Sequence, residues 1–321
     1  MLVTLDEIRA AAGRIRGVAR RTPVVEVAGD ARRGGPASGA VALALKCESL
    51  QPMGAFKIRG ACNMLAQLSP EAREAGVITY SSGNHGQAVA LVAQRFGIPA
   101  VVVMPETTPR VKIEGVRRYG AEMIFAGTTS LHRRTRAEAE AAARGLTMVP
   151  PFDHPWIIAG AGTCGLEILE QHPQASTIYV PVGGGGLISG IATAVKQMRG
   201  GVRVVGVEPE GAPKVCASRA AGHVVTLERT SSIADGLMAV RAGDLTFEHI
   251  QAYVDDVITT PDAAIVAAVK WLFAEARIVA EPSGAAAVAG ALHAGIEPGA
   301  GTVALISGGN VEPADFARYI S

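Results

Sequence analysis

Lys57 lies in the run QPMGAFKIRG, between Met53, Ala55, Phe56 and Ile58. Apolar neighbours of this kind strip water from an ammonium and lower its pKa. A neutral lysine amine is the form that attacks a carbonyl to make an imine. Four consecutive glycines, Gly183, Gly184, Gly185 and Gly186, separate the apolar run Thr177–Val182 from a helical pattern that begins at Leu187. Without side chains their N–H groups can converge on one point, and the positive end of a helix follows at once. That combination cradles a phosphate. No Lys-Ser/Thr follows, so it is not a Walker loop. The run SSGNHGQAVA brings Ser81, Ser82, Gly83, Asn84 and His85 to a second strand-to-helix junction. Its hydroxyl and amide donors suit a carboxylate better than a plain helix cap, which needs one of them. A third loop, Ser307 to Asn310 (SGGN), follows the run Thr302–Ile306. Two anion cradles fit a phosphate-bearing cofactor together with a carboxylate substrate.

Other patterns carry less chemistry. Gly160, Gly162 and Gly165 spell G-x-G-x-x-G ahead of a helix expected from Thr163 to Gln171, but Pro155 and Trp156 stand where a strand would be needed. Close helix packing explains these glycines better than a dinucleotide. Arg133, Arg134 and Arg136 read as a solvated helix face. Cys47, Cys62, Cys164 and Cys216 form no C-x-x-C pair and have no zinc-finger spacing, so neither a disulfide framework nor a metal site is expected. The net charge of +1 favours neither nucleic acid nor a membrane surface. No apolar run is long enough to span a bilayer, and the first twenty residues lack a signal-peptide core, so a cytoplasmic location is expected.

The elements that must position these residues alternate in type. Strands are expected at Val41–Leu45, Val77–Tyr80, Ala100–Met104, Glu122–Phe125, Thr177–Val182, Val202–Val207 and Thr302–Ile306. Helices are expected at His85–Phe96, Pro109–Tyr119, Ser130–Arg144, Leu187–Met198, Asp262–Ala276 and Ser283–Ala294. Alternation of this kind means parallel sheets covered on both faces. With 321 residues, 49% of them hydrophobic, two domains are affordable: a small one over 76–148, inserted in a large one made of 1–75 and 149–321. Residues 32–39 read as a Gly- and Pro-rich loop. All three chemical loops follow strands, where open α/β sheets bind ligands.

Taken together, KCESLQPMGAFKIRGA, SSGNHGQA, GGGGL, GVEPEGA, EPSGAAA and SGGN, in that order, resemble the fold-type II pyridoxal-phosphate enzymes, in particular the serine/threonine dehydratase and serine racemase group. The resemblance runs from about Arg20 to Asn310. It implies a tryptophan-synthase-β-like fold with the cofactor, pyridoxal 5'-phosphate, in the cleft between two parallel-sheet domains. It makes Lys57 the Schiff-base lysine and the base at the substrate α-carbon. Gly183 to Gly186, with Leu187, would bind the cofactor phosphate, Asn84 the ring hydroxyl and Ser307 the pyridine nitrogen, with Phe56 beside the ring. Ser81, Ser82, Gly83, Asn84 and His85 would hold the substrate carboxylate. The implied reaction is loss of water from a small β-hydroxy amino acid such as threonine or serine, giving a 2-oxo acid and ammonia, in a homodimer.

Departures from that pattern carry expectations of their own. Ala55 stands where the family usually has Ser. Lys214 replaces an acidic metal ligand, so its ammonium is expected to pair with Glu208 in place of a cation, beside the Ala212 carbonyl. Leu131, His132 and Pro150-Pro151-Phe152 add apolar surface suited to a larger substrate such as threo-3-phenylserine. A C-terminal regulatory domain and isoleucine inhibition are not expected. The principal rival is an amino-acid racemase using Ser82 as a second base. Further rivals are β-replacement and a non-catalytic phosphate-ligand binding protein.

Overall fold

The computed structural model describes residues 1–28, 41–81, 83–108, 110–127, 130–293 and 301–321. Ten strands are formed: β1 Val24–Ala28, β2 Val41–Cys47, β3 Val77–Tyr80, β4 Ala100–Met104, β5 Glu122–Phe125, β6 Thr147–Met148, β7 Thr177–Pro181, β8 Arg203–Pro209, β9 Asp256–Thr260 and β10 Thr302–Ile306. They make two sheets, of order β1-β2-β10-β7-β8-β9 and β5-β4-β3-β6. Among the described residues the β1–β2 pair is antiparallel and the other strand pairs are parallel. The result is a two-domain α/β fold, as the alternating pattern predicts.

The central strands of the large sheet are apolar on both faces because both are covered. Ile178, Val180, Val303 and Leu305 enter a core with the helices Pro155–Gln171 and Gly186–Met198. The alternate residues Tyr179, Ala304 and Ile306 enter the opposite core with Asp262–Trp271 and Pro282–His293. This is the two-residue period of a strand acting on both sides of a sheet.

Several boundaries differ from expectation. Strands β1 and β9 are not among the expected ones, and both lie at a sheet edge; in β9, DVITT, three of five side chains are polar, which blurs the strand pattern. The helix expected to end at Ala276 is α-helical only to Trp271, then widens into a π turn over Leu272–Ala276 that closes at Arg277 with φ 59°. The helix expected from Thr163 starts instead at Pro155, capped by His154, so the G-x-G-x-x-G glycines lie inside it. There they serve packing: a Cβ on Gly162 would stand 2.8 Å from the Gly190 carbonyl oxygen, and one on Gly160 2.8 Å from Gly60 Cα. Helices at Lys57–Leu65, Pro70–Ala75, Lys214–Ala221, Asp244–Tyr253 and Pro313–Ile320 were also not anticipated. The stretch 32–39, Pro109 and Ala294 lie outside the described residues. Among the described residues no helix is long and apolar enough to cross a membrane.

Candidate active site

Strands β2, β10 and β7 are neighbours and run parallel, so their carboxyl ends open on one side. The chain after β2 leads to Lys57, that after β10 to Ser307, and that after β7 to the glycine run. Adjacency in the sheet thus gathers residues separated by up to 250 positions. The segment before Lys57 is stitched to the SGGN loop like an extra strand pair. Phe56 N–H donates to the Ser307 carbonyl (3.0 Å), Gly309 N–H donates to the Gly54 carbonyl (2.9 Å), and Ala55 bridges Gly308. Asn310 completes the clamp by donating from Nδ2 to the Met53 carbonyl (2.9 Å).

Lys57 opens the helix Lys57–Leu65. Its Nζ donates to the Pro151 carbonyl at 2.7 Å and lies 5.0 Å from the Phe56 ring centre. Burial pulls the amine down to about 8. Phe56, Lys57, His85, Pro151, Gly186 and Leu187 line one partly open space of about 10 Å³. The helix is anchored from below by Arg59, whose guanidinium meets Glu48 (2.7 Å) and Glu167 (2.7 Å) in the buried interior.

The glycine run turns from β7 into the helix Gly186–Met198, with Gly185 at φ 99°, a conformation that glycine adopts without strain. Among the described residues, the N–H groups of Gly183, Gly184 and Gly185 donate to no protein acceptor. The Gly184 carbonyl accepts from Thr246 Oγ1 at 2.7 Å, and the Gly185 carbonyl accepts from Ser189 N–H at 2.9 Å. Open amides at a helix start are the donor set of an anion site. A Cβ on Gly184 would overlap the Phe152 ring, which rests on the loop. Asp153 secures that segment by accepting from Asp244 N–H and Thr246 N–H, both at 3.0 Å.

Asn84 begins the helix Asn84–Phe96. Its Nδ2 donates to Glu281 Oε1 (2.6 Å), and its Oδ1 accepts from Asn310 Nδ2 (2.7 Å). One Nδ2 hydrogen remains free for a ligand oxygen. Ser307 Oγ is buried, with only a long 3.4 Å contact to the Ser283 carbonyl. Ser81 Oγ accepts from Gly83 N–H at 3.3 Å. The His85 ring is engaged within the protein. Its Nε2 faces the Val149 carbonyl at 3.1 Å, and a carbonyl can only accept, so Nε2 carries the proton. Burial and the nearby Lys57 charge pull the ring down to about 3, so it is neutral. Its Nδ1 then has no hydrogen to give a carboxylate, and only the backbone N–H of His85 remains for that purpose. Ser82 and the side chain of Leu131 lie outside the described residues.

Glu281 was missed. Burial, with Asp235 adding, pushes its carboxyl up to about 8. It is the one acid in the run IVAEPSGAAAVAGALH, a signal that could have found it. Asp235 was missed as well. It pairs with Lys112 across the two domains.

Lys214 is buried with Glu208, Nζ to Oε1 2.9 Å, as expected from the sequence. It also donates to the carbonyls of Val182 (2.9 Å), Ala212 (3.0 Å) and Leu237 (3.1 Å). Burial lowers its pKa, and Glu208 opposes that shift. Val182 leads directly into the glycine run, so this ammonium fixes the base of the cradle. Among the described residues no three His, Cys, Asp or Glu side chains gather as a metal site. Arg134 and Arg136 pair with Glu138 and Glu140 one turn on, on an exposed helix face. The four cysteines are unpaired thiols.

A desolvated lysine amine beside an open-amide anion cradle, at the carboxyl ends of parallel strands, defines an enzyme built around a phosphorylated carbonyl cofactor. Residues 15–308 match the family described as pyridoxal-phosphate dependent enzyme, and the chain belongs to that family. It is 40% identical over 326 residues to the L-threonine ammonia-lyase of Thermotoga maritima, covering 100% of this chain and 79% of that protein. It is 45% identical over 246 residues to the biosynthetic L-threonine dehydratase of Escherichia coli, covering 77% of this chain and 48% of that protein, so the match spans about half of that relative. The structure of maize serine racemase superposes with a TM-score of 0.91 at 38% identity, over 99% of this chain and 97% of the other.

Proposed function

We propose that the protein is a pyridoxal-phosphate-dependent dehydratase that converts a small β-hydroxy amino acid, threonine or serine, to a 2-oxo acid and ammonia. The observation that carries this reading is Lys57: a half-buried amine whose desolvation pulls its pKa to about 8, sharing one partly open space with Gly186 and Leu187 of the glycine cradle. When bound, pyridoxal phosphate supplies a carbonyl for that amine and an electron sink for the substrate α-carbon. The amides of Gly183 to Gly186 and the helix start at Leu187 hold its phosphate. Asn84 would donate its free Nδ2 hydrogen to the ring hydroxyl, Phe56 would pack beside the ring, and Ser307 would serve the ring nitrogen. A neutral hydroxyl cannot hold a proton there as a carboxylate would, so the sink is weak and expulsion of a β-leaving group is favoured over transamination. Ser81, Ser82, Gly83, Asn84 and the His85 amide take the substrate carboxylate. Lys57 Nζ removes the α-proton.

The same proposal includes the domain division 1–75 with 149–321 and 76–148, supported by the confinement of β3 to β6 to the second segment. It includes a cytoplasmic homodimer, tested by light scattering, and Lys214 in place of a divalent cation. A second reading, amino-acid racemase with Ser82 as the opposing base, is favoured by the likeness to maize serine racemase over the full length of both chains.

The test is 2-oxo acid formation from L-threonine, L-serine, D-serine and threo-3-phenylserine, with chiral analysis of serine and Lys57→Ala as control. Phenylserine belongs in the panel because Phe152 puts apolar surface beside the cradle. Turnover lost in the variant supports dehydration. Inverted serine without 2-oxo acid replaces it by racemisation.

A further inference from the structure

We propose that the protein carries a second small-molecule site, away from Lys57, that binds a free α-amino acid with an apolar side chain as its zwitterion. A cavity of about 330 Å³ lies along the edge strand β9, beneath the end of the helix Pro282–His293. Tyr179, Val205 and Asp256 form one row across β7, β8 and β9, and Arg203 lies two positions earlier on the same face. Arg203 and Asp256 open their strands. They therefore sit at the amino ends, opposite the carboxyl ends that hold the Lys57 site.

Three features mark this cavity as built for a ligand. First, Tyr179 is 3% exposed as a residue, and among the described residues its hydroxyl donates to no protein group. That oxygen is not sealed from solvent, so its donor is open to whatever occupies the cavity that Tyr179 lines. Second, Arg203 and Asp256 line the same cavity without pairing with each other or, among the described residues, with any other charge. Both act on the Tyr179 hydroxyl, Arg203 lowering its pKa and Asp256 raising it, while burial raises it most. Asp256 spends one oxygen on Val257 N–H (2.8 Å) and keeps the other. Third, the walls between the charges are Val205, Ile258 and Pro261.

Opposite charges that face one cavity without closing on each other suit a ligand carrying both signs. Arg203 takes the carboxylate in a two-point contact, Asp256 takes the ammonium, and the Tyr179 hydroxyl donates to the carboxylate. A simple anion would meet Asp256, and a simple cation would meet Arg203. The volume lies at the bottom of the roughly 300–1,000 Å³ range of small-molecule sites, which admits an amino acid of leucine size and excludes a nucleotide.

The experiment is calorimetric titration of the pyridoxal-phosphate-loaded protein with L-leucine, L-valine and L-methionine, none of which has a β-hydroxyl, and with isovalerate and isobutylamine as single-charge controls. The cofactor absorption spectrum is followed in parallel and reports occupancy of the Lys57 site. The expected result is saturable binding of an amino acid below about 10 mM with no spectral change, weakened about tenfold or more in Arg203→Met and in Asp256→Asn. Both side chains are at the surface, so both variants fold. Tyr179→Phe, which removes one oxygen only, weakens binding by a smaller factor. Binding that appears only together with a spectral change, binding unaltered in Arg203→Met, isovalerate binding as tightly as leucine, or no saturable heat from any amino acid each overturns the proposal.

Discussion

Lys214→Met probes whether one buried ammonium holds the phosphate cradle in shape. Lys214 and Glu208 are both fully buried, 2.9 Å apart. Removing one partner of such a pair leaves an uncompensated charge and costs about 3–5 kcal/mol. Glu208 would keep its bonds from Val215 N–H (3.0 Å) and Cys216 N–H (2.9 Å), which reduces the penalty. The carbonyls of Val182, Ala212 and Leu237 would each lose a donor, at about 1 kcal/mol apiece or more. These carbonyl losses fall within the ~3–5 kcal/mol cost of removing one buried partner, so the expected loss is about 4 kcal/mol. Methionine preserves most of the lysine stem, so little of this comes from a cavity. Urea unfolding at neutral pH, with an unchanged m value, measures it. Adding Glu208→Gln removes the stranded charge and should recover at least about 1 kcal/mol, a coupling that only interacting residues show. Because Val182 precedes Gly183, the single variant should also hold pyridoxal phosphate less tightly. A loss below about 1 kcal/mol, or no recovery in the double variant, refutes the reasoning. Stoichiometric magnesium or calcium at Glu208 in the unaltered protein refutes the substitution of ammonium for metal.

Two pH predictions follow from the buried groups. In cofactor-free protein, reductive methylation of Lys57, followed by mass spectrometry, should be half-maximal near pH 8, and a midpoint near 10.5 would show that burial does not act on this amine. The folded value near 8 for Glu281 exceeds the ordinary 4.5, so the folded chain holds a proton that the unfolded chain releases between those values. Stability should therefore fall as pH rises from about 4.5 to about 8, and Glu281→Gln should flatten that slope. Thermal unfolding of both proteins across the window tests this, and parallel curves would mean that Glu281 ionises freely.

Much of the fold and the candidate site was legible in the chain itself. Strand-helix alternation is written in local periodicity, and the glycine run, SSGN and SGGN are each short enough to read as loops between elements. Lys57 gained its weight from the loops and motifs that accompany it, since a lysine among apolar neighbours is by itself more often a surface side chain. The edge strand β9 was not legible, because DVITT is mostly polar and borrows its conformation from its neighbour β8. The G-x-G-x-x-G glycines also depended on a partner, since only contact with Gly60 and Gly190 shows why side chains are excluded there.

The sequence by itself determined which residues can do chemistry, because nucleophilicity, anion binding and backbone freedom belong to residue types and their immediate neighbours. Only the tertiary structure decided what those residues face. It placed Glu281 against Asn84, turned the His85 ring to the Val149 carbonyl, set Phe152 on Gly184 and brought Tyr179, Arg203 and Asp256 to the lining of one cavity. Each of these contacts joins residues distant in the chain. Their strength comes from burial, which removes competing water and exists only once both sheets and their covering helices are assembled.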